Sequence, residues 1–478
     1  MSGTTEFTWF REGDGPVHFM GIGGAGMCAL AEALVRTGRS VTGCDAAPGR
    51  SAGGLGALGI EVSPGHDPGH IDGTAALVVS AAIPSDHPEI VAARSAGLPV
   101  LKRAEALAQW VNRGRVLGVA GTHGKTTTTA LLTEILAAAE LDPTGFVGAE
   151  VVGWGSNLRP GRDDLFVVEA DEYDRSFLHL RPEVAVVTNV EADHLDIYGS
   201  MEGVREGFRS YLAQVVPGGA VVACADDPGA GALLQGLPRT VTAVSYGFSA
   251  GSVLRGLDLQ VSDGRLRFHV REQGHDRGHL VVRLPGIHNA RNALAACAAA
   301  RHLGVEWTAI REGLVRFRGV RRRFERLSPD GEVEVIDDYA HHPTEVAATL
   351  TAALSSFPGR RVVAVFQPHL FSRTQAFHEE FGQALAMAHS VWVTDVYPAR
   401  EEPIPGVDGG LVAEAARGAG AGEVQYHGEL SSLAEVVADT LRPGDVCLLL
   451  GAGSIERVGP ELVRIMDGSQ VGEGGAHG

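Results

Sequence analysis

Gly121-Thr122-His123-Gly124-Lys125-Thr126 stands where an apolar strand, Val116 to Ala120, runs into a helix-forming segment that continues Thr127-Thr128-Thr129-Ala130. Small residues let backbone N–H groups close around phosphate oxygens, the lysine brings a point charge to the terminal phosphates, and Thr126 offers a hydroxyl to a magnesium ion. The stretch reads as a nucleoside-triphosphate site. A full Walker pattern has a glycine five residues before Gly124; this chain has Val119 there, so the loop is a shorter relative of the P-loop. The competing reading is a glycine-rich strand-to-helix turn with an incidental lysine.

Upstream lies a second glycine-rich turn. Val17 to Met20 is an apolar strand, Gly21-Ile22-Gly23-Gly24-Ala25-Gly26 follows, a helix is expected over Met27 to Thr37, and a strand from Ser40 to Cys44 ends at Asp45. This is the G-x-G-x-x-G pattern of a βαβ unit, with an acidic residue about 20 residues on, and it presents a helix N-terminus to a diphosphate. It says "diphosphate of a nucleotide-like ligand" more securely than it says NAD. Asp45 reads equally as a ribose ligand or as a strand-end turn residue. Ala75 to Ser80 is a further buried strand, and Pro99-Val100 leads to Arg103.

The length of 478 residues exceeds what one hydrophobic core serves, so two or three domains are expected. With 44% hydrophobic and 21% charged residues, the chain has the composition of a soluble globular protein, and no apolar run is long enough to span a bilayer. MSGTTEFTWFREGDG lacks a basic region followed by an apolar one, so no secretory signal is expected and the location expected is cytoplasmic. Cys28, Cys44, Cys224, Cys297 and Cys447 are scattered and form no C-x-x-C pair, which argues against disulfides and against a zinc site. A net charge of −18 argues against a general nucleic-acid binder. Anionic ligands must therefore be held by local donors.

Downstream of the phosphate loop, Leu165 to Glu169 is a strand ending on a carboxylate, and Val184 to Thr188 leads to Asn189, Glu191, Asp193 and His194. Parallel sheets gather ligand groups at strand carboxyl ends, so Glu169 and His194 are expected to face the loop and join Thr126 around magnesium. The alternatives are a surface ion pair for Glu169 and a helix-start hydrogen bond for His194. Asn289 and Asn292 share one face of an alanine-rich helix and read as caps as readily as ligands. Arg321-Arg322-Arg323 opens a third block and reads mainly as a solvated charge run. In that block Val333 to Ile336 ends in Asp337-Asp338-Tyr339-Ala340-His341-His342-Pro343, Arg361 to Phe366 in Gln367-Pro368-His369, Val391 to Thr394 in Asp395, and Val446 to Leu450 in Gly451. The alternation predicts another doubly wound domain, and the two later domains are expected to face one cleft. From about Gly468 the tail is Gly-rich and expected to be disordered.

GIGGAGM, GTHGKTTTTA, EADEYDRSFLHLRP, TNVEADHLDIY, GIHNARNA, RRRFE, DDYAHHPTEV and FQPHLFSRT stand in the order seen in Mur ligases, across nearly the whole chain. The chain resembles that family, and within it the branch that adds L-alanine. Relatives adding later residues generally carry a carbamylated lysine where this chain has Phe208. The resemblance implies an α/β protein of three domains: a Rossmann-like domain over 1–112 binding a UDP-sugar, a central P-loop-type ATPase domain with a mainly parallel sheet over 113–322, and a C-terminal Rossmann-like α/β domain over 323–478 for the amino acid.

It further implies an ATP-dependent acid–amino-acid (C–N) ligase of peptidoglycan precursor synthesis, with Mg2+ that Mn2+ can replace. The substrates implied are UDP-N-acetylmuramate and L-alanine, the protein being a monomer or weak homodimer. By this resemblance Gly23, Gly24, Ala25, Gly26, Asp45, His66, Ser80 and Arg103 hold the sugar nucleotide. Gly121, Thr122, His123, Gly124, Lys125, Thr126, Thr127, Asn292, Arg323 and Asp338 hold ATP, while Thr126, Glu169 and His194 hold the metal. Lys125, His194, His288, Asn289, Arg323 and His341 serve the reaction, and Tyr339, His341 and Arg373 seat the amino acid. Two departures stand out. Leu370 replaces a second arginine of the R-F-[ST]-R-T motif, and Ser80-Ala81-Ala82-Ile83 lacks one hydroxyl of S-S-A-I. The competing readings are a recycling ligase that attaches a preformed tripeptide, a silent UDP-sugar binder and a Rossmann dehydrogenase.

Overall fold

A computed structural model describes residues 15–46, 53–262, 264–328, 331–399 and 401–473. The amino-terminal reading on residues 1–14 and the last five residues of the tail lie outside the described residues. The expected disorder from about 468 is corrected in part, because a helix runs Val458–Glu473.

Short runs of wholly buried apolar residues form parallel strands, because helices cover both faces of such a sheet. The first sheet holds β1 (Val17–Met20), β2 (Val41–Asp45), β3 (Glu61–Pro64), β4 (Ala76–Val79) and β5 (Val100–Lys102) in the order β3-β2-β1-β4-β5, all parallel. That order reverses direction between β1 and β4, the switch point at which doubly wound sheets bind ligands. Gly21 follows β1 and Ser80 follows β4 there. A Cβ on Gly21 would lie 2.9 Å from the Ser80 Cβ, and Gly21 itself has φ +81°. The helix expected from Met27 starts two residues earlier, at Ala25, and its N-cap Gly24 supplies no side-chain hydrogen bond to the first amides.

The central sheet contains β6 (Arg115–Ala120), β7 (Pro143–Val151), β8 (Ser156–Arg159), β9 (Arg162–Glu169), β10 (Val184–Val187), β11 (Ala220–Cys224), β12 (Thr242–Gly247), β13 (Leu254–Ser262), β14 (Arg265–Glu272) and β15 (His275–Val282). Their order is β15-β14-β13-β12-β11-β10-β6-β9-β7-β8. Neighbours from β12 through β7 run parallel, whereas β8 is antiparallel to β7. The phosphate-loop strand β6 therefore sits in the middle, flanked by β10 and β9, whose ends carry Thr188-Asn189 and Glu169. Strands β12 to β15 were not anticipated. In β14, Leu266, Phe268 and Val270 are buried between more exposed neighbours, a period-two pattern without the continuous apolar run of the parallel strands.

The first sheet and strands β6 to β12 of the central sheet belong to one compact unit, which reaches Leu257 and also takes in 269–279 and 291–318. Inside it Asn157 Nδ2 donates to the Ala25 carbonyl at 2.6 Å, and Asn112 Nδ2 donates to the His179 carbonyl at 2.9 Å. Phe208, on the helix Met201–Leu212, is fully buried; its ring meets Phe177 edge-on at 5.5 Å, and Phe177 stacks on Tyr211 at 4.9 Å.

The second unit comprises 258–268, 280–290 and the chain from Gly319. Its sheet runs β16 (Glu325–Arg326), β17 (Glu334–Asp338), β21 (Val446–Leu450), β18 (Val362–Phe366), β19 (Ser390–Val393) and β20 (Glu423–Tyr426), with only the edge strand β16 antiparallel. Alternate side chains feed opposite faces. Ile336, Ala364, Phe366, Leu448 and Leu450 enter one core, and Val335, Val363, Val365, Cys447 and Leu449 the other.

Phe208→Ala would empty a closed aromatic cluster. We expect a loss of about 3–5 kcal/mol in unfolding free energy. Chemical denaturation checks this, and a loss below about 1 kcal/mol would show that the cluster collapses around the missing ring.

Candidate functional site

The phosphate loop leaves β6 at Gly121 and enters the helix Lys125–Ala138 at Gly124. Both glycines are required by geometry. Gly121 has φ +133° and a Cβ there would lie 2.0 Å from Thr188 Oγ1; Gly124 has φ +81° and its Cβ would lie 2.5 Å from Asn292 Oδ1. Strand β10 pins the loop from beside. Asn189 Oδ1 accepts from the His123 N–H at 2.8 Å, its carbonyl accepts from the Thr122 N–H at 3.1 Å, and Thr188 Oγ1 donates to the His123 carbonyl at 2.5 Å. Thr122 Oγ1 in turn accepts from the Glu191 N–H at 2.9 Å, and His123 Nε2 lies 3.5 Å from Glu191. Asn292 thus lies beside the loop at Gly124.

Lys125 Nζ donates to the Gly121 carbonyl at 2.8 Å and reaches both oxygens of Glu172, at 2.7 and 2.8 Å. Burial pulls the ammonium down, but Glu172, Asp171 and Glu169 overcome it and hold Lys125 at about 12. Burial pushes the Glu172 carboxyl up to about 7 against the attraction of Lys125. Glu172 was not singled out from the sequence, although it lies in EADEYD, three residues after Glu169. Its position is fixed by a turn in which Asp174 and Arg175 adopt left-handed φ values of 52° and 55°, and the Glu172 carbonyl accepts from Tyr198 Oη at 2.7 Å.

Thr126 Oγ1 donates to Glu169 Oε1 at 3.0 Å, and Glu169 Oε2 accepts from the Gly148 N–H at 2.6 Å. Gly148 makes this approach possible, since a Cβ would lie 2.8 Å from both carboxylate oxygens. A hydroxyl and a carboxylate at hydrogen-bonding distance, next to a cationic phosphate loop, form an oxygen donor set that fits magnesium. Thr127 is buried in the first helical turn behind them. His194 has φ +52° at the start of a short helix; its backbone N–H donates to Asp193 Oδ1 at 2.8 Å and its ring packs edge-on against Tyr173 at 5.2 Å.

In the first domain, Asp45 Oδ2 accepts from the Gly23 N–H at 2.8 Å, and the Cys44 carbonyl accepts from the Gly21 and Ile22 amides. Asp45 therefore shapes the glycine turn itself. Gly26 lies against Arg103, and a Cβ there would come within 3.0 Å of the guanidinium. Gly23, Gly24, Ala25, Gly26, Ser80 and Arg103 are thus gathered at the β1–β4 switch point. His66 Nδ1 lies 3.1 Å from Cys44 Sγ.

The helix Ile287–His302 begins with His288 and Asn289. Asn289 Nδ2 donates to the Pro285 carbonyl at 2.7 Å and lies 3.0 Å from His288 Nε2, so this amide acts as a cap as well as a candidate ligand. In the third domain Asp338 is buried, and its oxygens accept from the Phe324 N–H at 2.7 Å and the Ala340 N–H at 2.9 Å. Arg323 and Arg322 both lie over the Tyr339 ring, at 5.1 and 5.0 Å. His341 Nδ1 is 3.0 Å from the Tyr339 carbonyl and 3.2 Å from Glu345. Its ring meets His369 at 5.8 Å, and burial, with His341 and Arg373 nearby, lowers His369 to about 4. Tyr339 and His341 thus pack together, ring centroids 5.2 Å apart, beside a His369 whose charged form burial and the nearby Arg373 charge disfavour.

Burial also pushes the Asp337 carboxyl up to about 7, although Arg322 Nε lies 3.3 Å away. A folded state that holds this proton more tightly than the unfolded chain loses stability as pH rises between the unfolded value, about 3.9, and the folded one. Denaturant titrations of wild type and Asp337→Asn should therefore diverge between about pH 4 and pH 7, wild type losing ground as pH rises. Parallel curves would show that Asp337 is ionised throughout.

The sequence matches three domain models of one family in succession: the Mur ligase family catalytic domain over residues 16–115, the Mur ligase middle domain over 119–300, and the Mur ligase glutamate ligase domain over 322–453. It is 47% identical over 456 residues to the UDP-N-acetylmuramate–L-alanine ligase of Kineococcus radiotolerans, covering 95% of this chain and 96% of that one. The enzyme of the same name from Cupriavidus necator is 42% identical over 470 residues, covering 96% and 98%. Among solved structures, UDP-N-acetylmuramate-alanine ligase of Thermotoga maritima superposes with a TM-score of 0.82 at 29% identity, over 95% of this chain and 99% of that one. A murein peptide ligase from Psychrobacter arcticus gives 0.69 at 25% identity, over 94% and 98%. With the three domain models matched in order along one polypeptide and relatives aligned from end to end, the chain belongs to the Mur ligase family.

Proposed function

We propose that the chain joins L-alanine to the lactyl carboxylate of UDP-N-acetylmuramate at the expense of ATP, in the cytoplasmic synthesis of peptidoglycan precursors. The observation that carries this reading is the end-to-end likeness to L-alanine ligases, which exceeds the likeness to the murein peptide ligase. Buried Phe208, where lysine-carrying relatives hold a carbamate, supports the same branch. Among the described residues no helix is long and apolar enough to cross a membrane. The protein is expected to act as a monomer or weak homodimer, with the sugar nucleotide on 1–112, ATP on 113–322 and the amino acid on 323–478.

A carboxylate is a poor electrophile, so it must gain a leaving group. The lactyl carboxylate attacks the γ-phosphorus of ATP, ADP departs, and the acyl phosphate accepts the alanine amine; the tetrahedral intermediate then expels phosphate. Little of this is covalent work for the protein, which positions the partners and offsets charge. Gly121 to Thr127 cradle the phosphates with backbone amides. Lys125 places a retained positive charge against the transferring group, and Glu172 keeps that ammonium protonated and aimed. Magnesium, with manganese as a substitute, neutralises phosphate charge when bound, and Thr126, Glu169 and His194 are its proposed holders. His288 and Asn289 are assigned to the intermediate, Asn292 to adenine, and Arg323 and Asp338 to the ATP site. Tyr339, His341 and Arg373 are assigned to the alanine; a guanidinium grips a carboxylate with two parallel hydrogen bonds. In the first domain Gly23 to Gly26, Asp45, His66, Ser80 and Arg103 hold the UDP-sugar through the open helix N-terminus and the arginine.

Phosphate release should require UDP-N-acetylmuramate, L-alanine and Mg-ATP together, and a murein tripeptide should not replace L-alanine. Release indifferent to the sugar nucleotide would sink the ligase reading, and a preference for the tripeptide would move it to the recycling branch. Lys125→Ala should cut turnover by about 10²–10³-fold or more while sugar-nucleotide binding, followed by calorimetry, persists. The variant should fold, because Glu172 can take up a proton once its partner is gone. Turnover near the wild-type rate would remove Lys125 from its assigned role.

A further inference from the structure

Away from the phosphate loop, four side chains from four elements of the first domain converge. They are His18 on β1, Cys44 on β2, His70 in the turn Pro68–Ile71 and Glu89 in the helix Pro88–Ser95. One ligand atom from each lies within 4.8 Å of all the others. His18 Nε2 is 3.3 Å from Glu89 Oε1, His70 Nδ1 is 3.8 Å from Glu89 Oε2, and Cys44 Sγ is 3.6 and 3.7 Å from the two carboxylate oxygens. A tetrahedral zinc ion with bonds of roughly 2.0–2.3 Å holds its ligand atoms about 3.3–3.7 Å apart, so the spacings to Glu89 are close to those of a coordination shell and the remaining donors, within 4.8 Å of one another, need a small contraction.

The donors are oriented as well as gathered. His18 is 2% exposed in the middle of an otherwise apolar strand, and its Nδ1 lies 2.9 Å from Thr42 Oγ1. With the Nδ1 proton given to Thr42, the Nε2 lone pair points into the cluster, and Nε2 makes no hydrogen bond there. A second-shell bond of this kind fixes ring and tautomer in metal-bound histidines. Glu89 and Cys44 are both wholly buried. Glu89 Oε2 also accepts from the Asp67 N–H at 3.1 Å. A thiolate, a carboxylate and two neutral imidazoles carry a formal charge of −2, which one divalent cation cancels.

We propose that His18, Cys44, His70 and Glu89 form a tetrahedral binding site for a divalent cation of the zinc class. Thiolate and imidazole donors favour zinc or cobalt over magnesium, which prefers oxygen alone. On binding, the Cys44 thiol proton, and any proton on the imidazoles, passes to solvent. His70, with 21% of its side chain exposed, marks the route in. The expectation against zinc rested on the absence of C-x-x-C pairs, and this site has a single sulfur ligand brought in by the sheet.

The test uses the full chain, stripped with chelator, held in excess Mg2+ to saturate oxygen-donor sites, and titrated with Co2+. One cobalt per chain should bind with the intense visible bands of tetrahedral geometry and a thiolate-to-cobalt charge-transfer band, and Zn2+ should displace it. Cys44→Ser should abolish the charge-transfer band and weaken binding by roughly tenfold or more, whereas Cys28→Ser, at a buried thiol of the same domain, should change neither. His70→Gln, altering the partly exposed ligand, should keep the charge-transfer band and weaken affinity, and serves if Cys44→Ser fails to fold. No charge-transfer band in the wild type, a band surviving Cys44→Ser, or cobalt affinity unchanged in His70→Gln would overturn the proposal. The readout is independent of the ligase reaction.

Discussion

Keeping the Lys125 ammonium charged while it is buried is the constraint on which the central domain is arranged. Burial of a lone ammonium favours its neutral form, and only nearby anions reverse that. Glu172 supplies the nearest charge, and the protein reaches it through a costly piece of backbone, two consecutive non-glycine residues in the left-handed region at Asp174 and Arg175. The Tyr198 hydroxyl fixes the Glu172 carbonyl. Glu169, one strand-end away, serves Thr126 and Gly148, so the two glutamates of EADE divide between the cation and the oxygen donor set.

The loop around that lysine is held by contact as much as by conformation. Gly121 and Gly124 carry positive φ, yet the tighter limit is that Thr188 and Asn292 occupy the space a Cβ would need. Neighbouring elements thereby fix where the amides point: β10 through Thr188 and Asn189, and the alanine-rich helix through Asn292. The same economy recurs in the first domain, where Gly26 yields its side-chain volume to Arg103. In both loops a glycine marks the place where another element's polar group must approach the backbone.

Much of this was legible in the sequence. Continuous apolar runs ending in Gly, Ser, Thr or Glu identify parallel strands and the ends where ligands collect, so β1, β4, β6, β9, β10 and β21 fall where the residues put them. The strands β12 to β15 were not, because their signal is alternation within a charged stretch, R-L-R-F-H-V-R-E in β14, which a search for apolar runs passes over. Glu172 was missed for a different reason: it lies beyond the strand end, in a turn whose φ values no propensity predicts. Asp338 was expected at ATP, and its immediate work in the fold is to accept two backbone amides. Side-chain type shows that a carboxylate is present, but only the tertiary arrangement shows which donors reach it first.

The cluster of His18, Cys44, His70 and Glu89 carries that point to its limit. Its members are separated along the chain by 26, 26 and 19 residues, and no spacing motif connects them. What brings them together is sheet register: β1 pairs His18 with Thr42, two residues before Cys44 on the adjacent strand, so that one buried surface acquires an imidazole, its orienting hydroxyl and a thiol. A buried carboxylate beside such groups needs positive charge from somewhere. Protons on the imidazoles can provide it, and so can a cation. Only the cation also requires the thiol to become a thiolate, which is why sulfur-to-metal charge transfer separates the two accounts where stability alone would not.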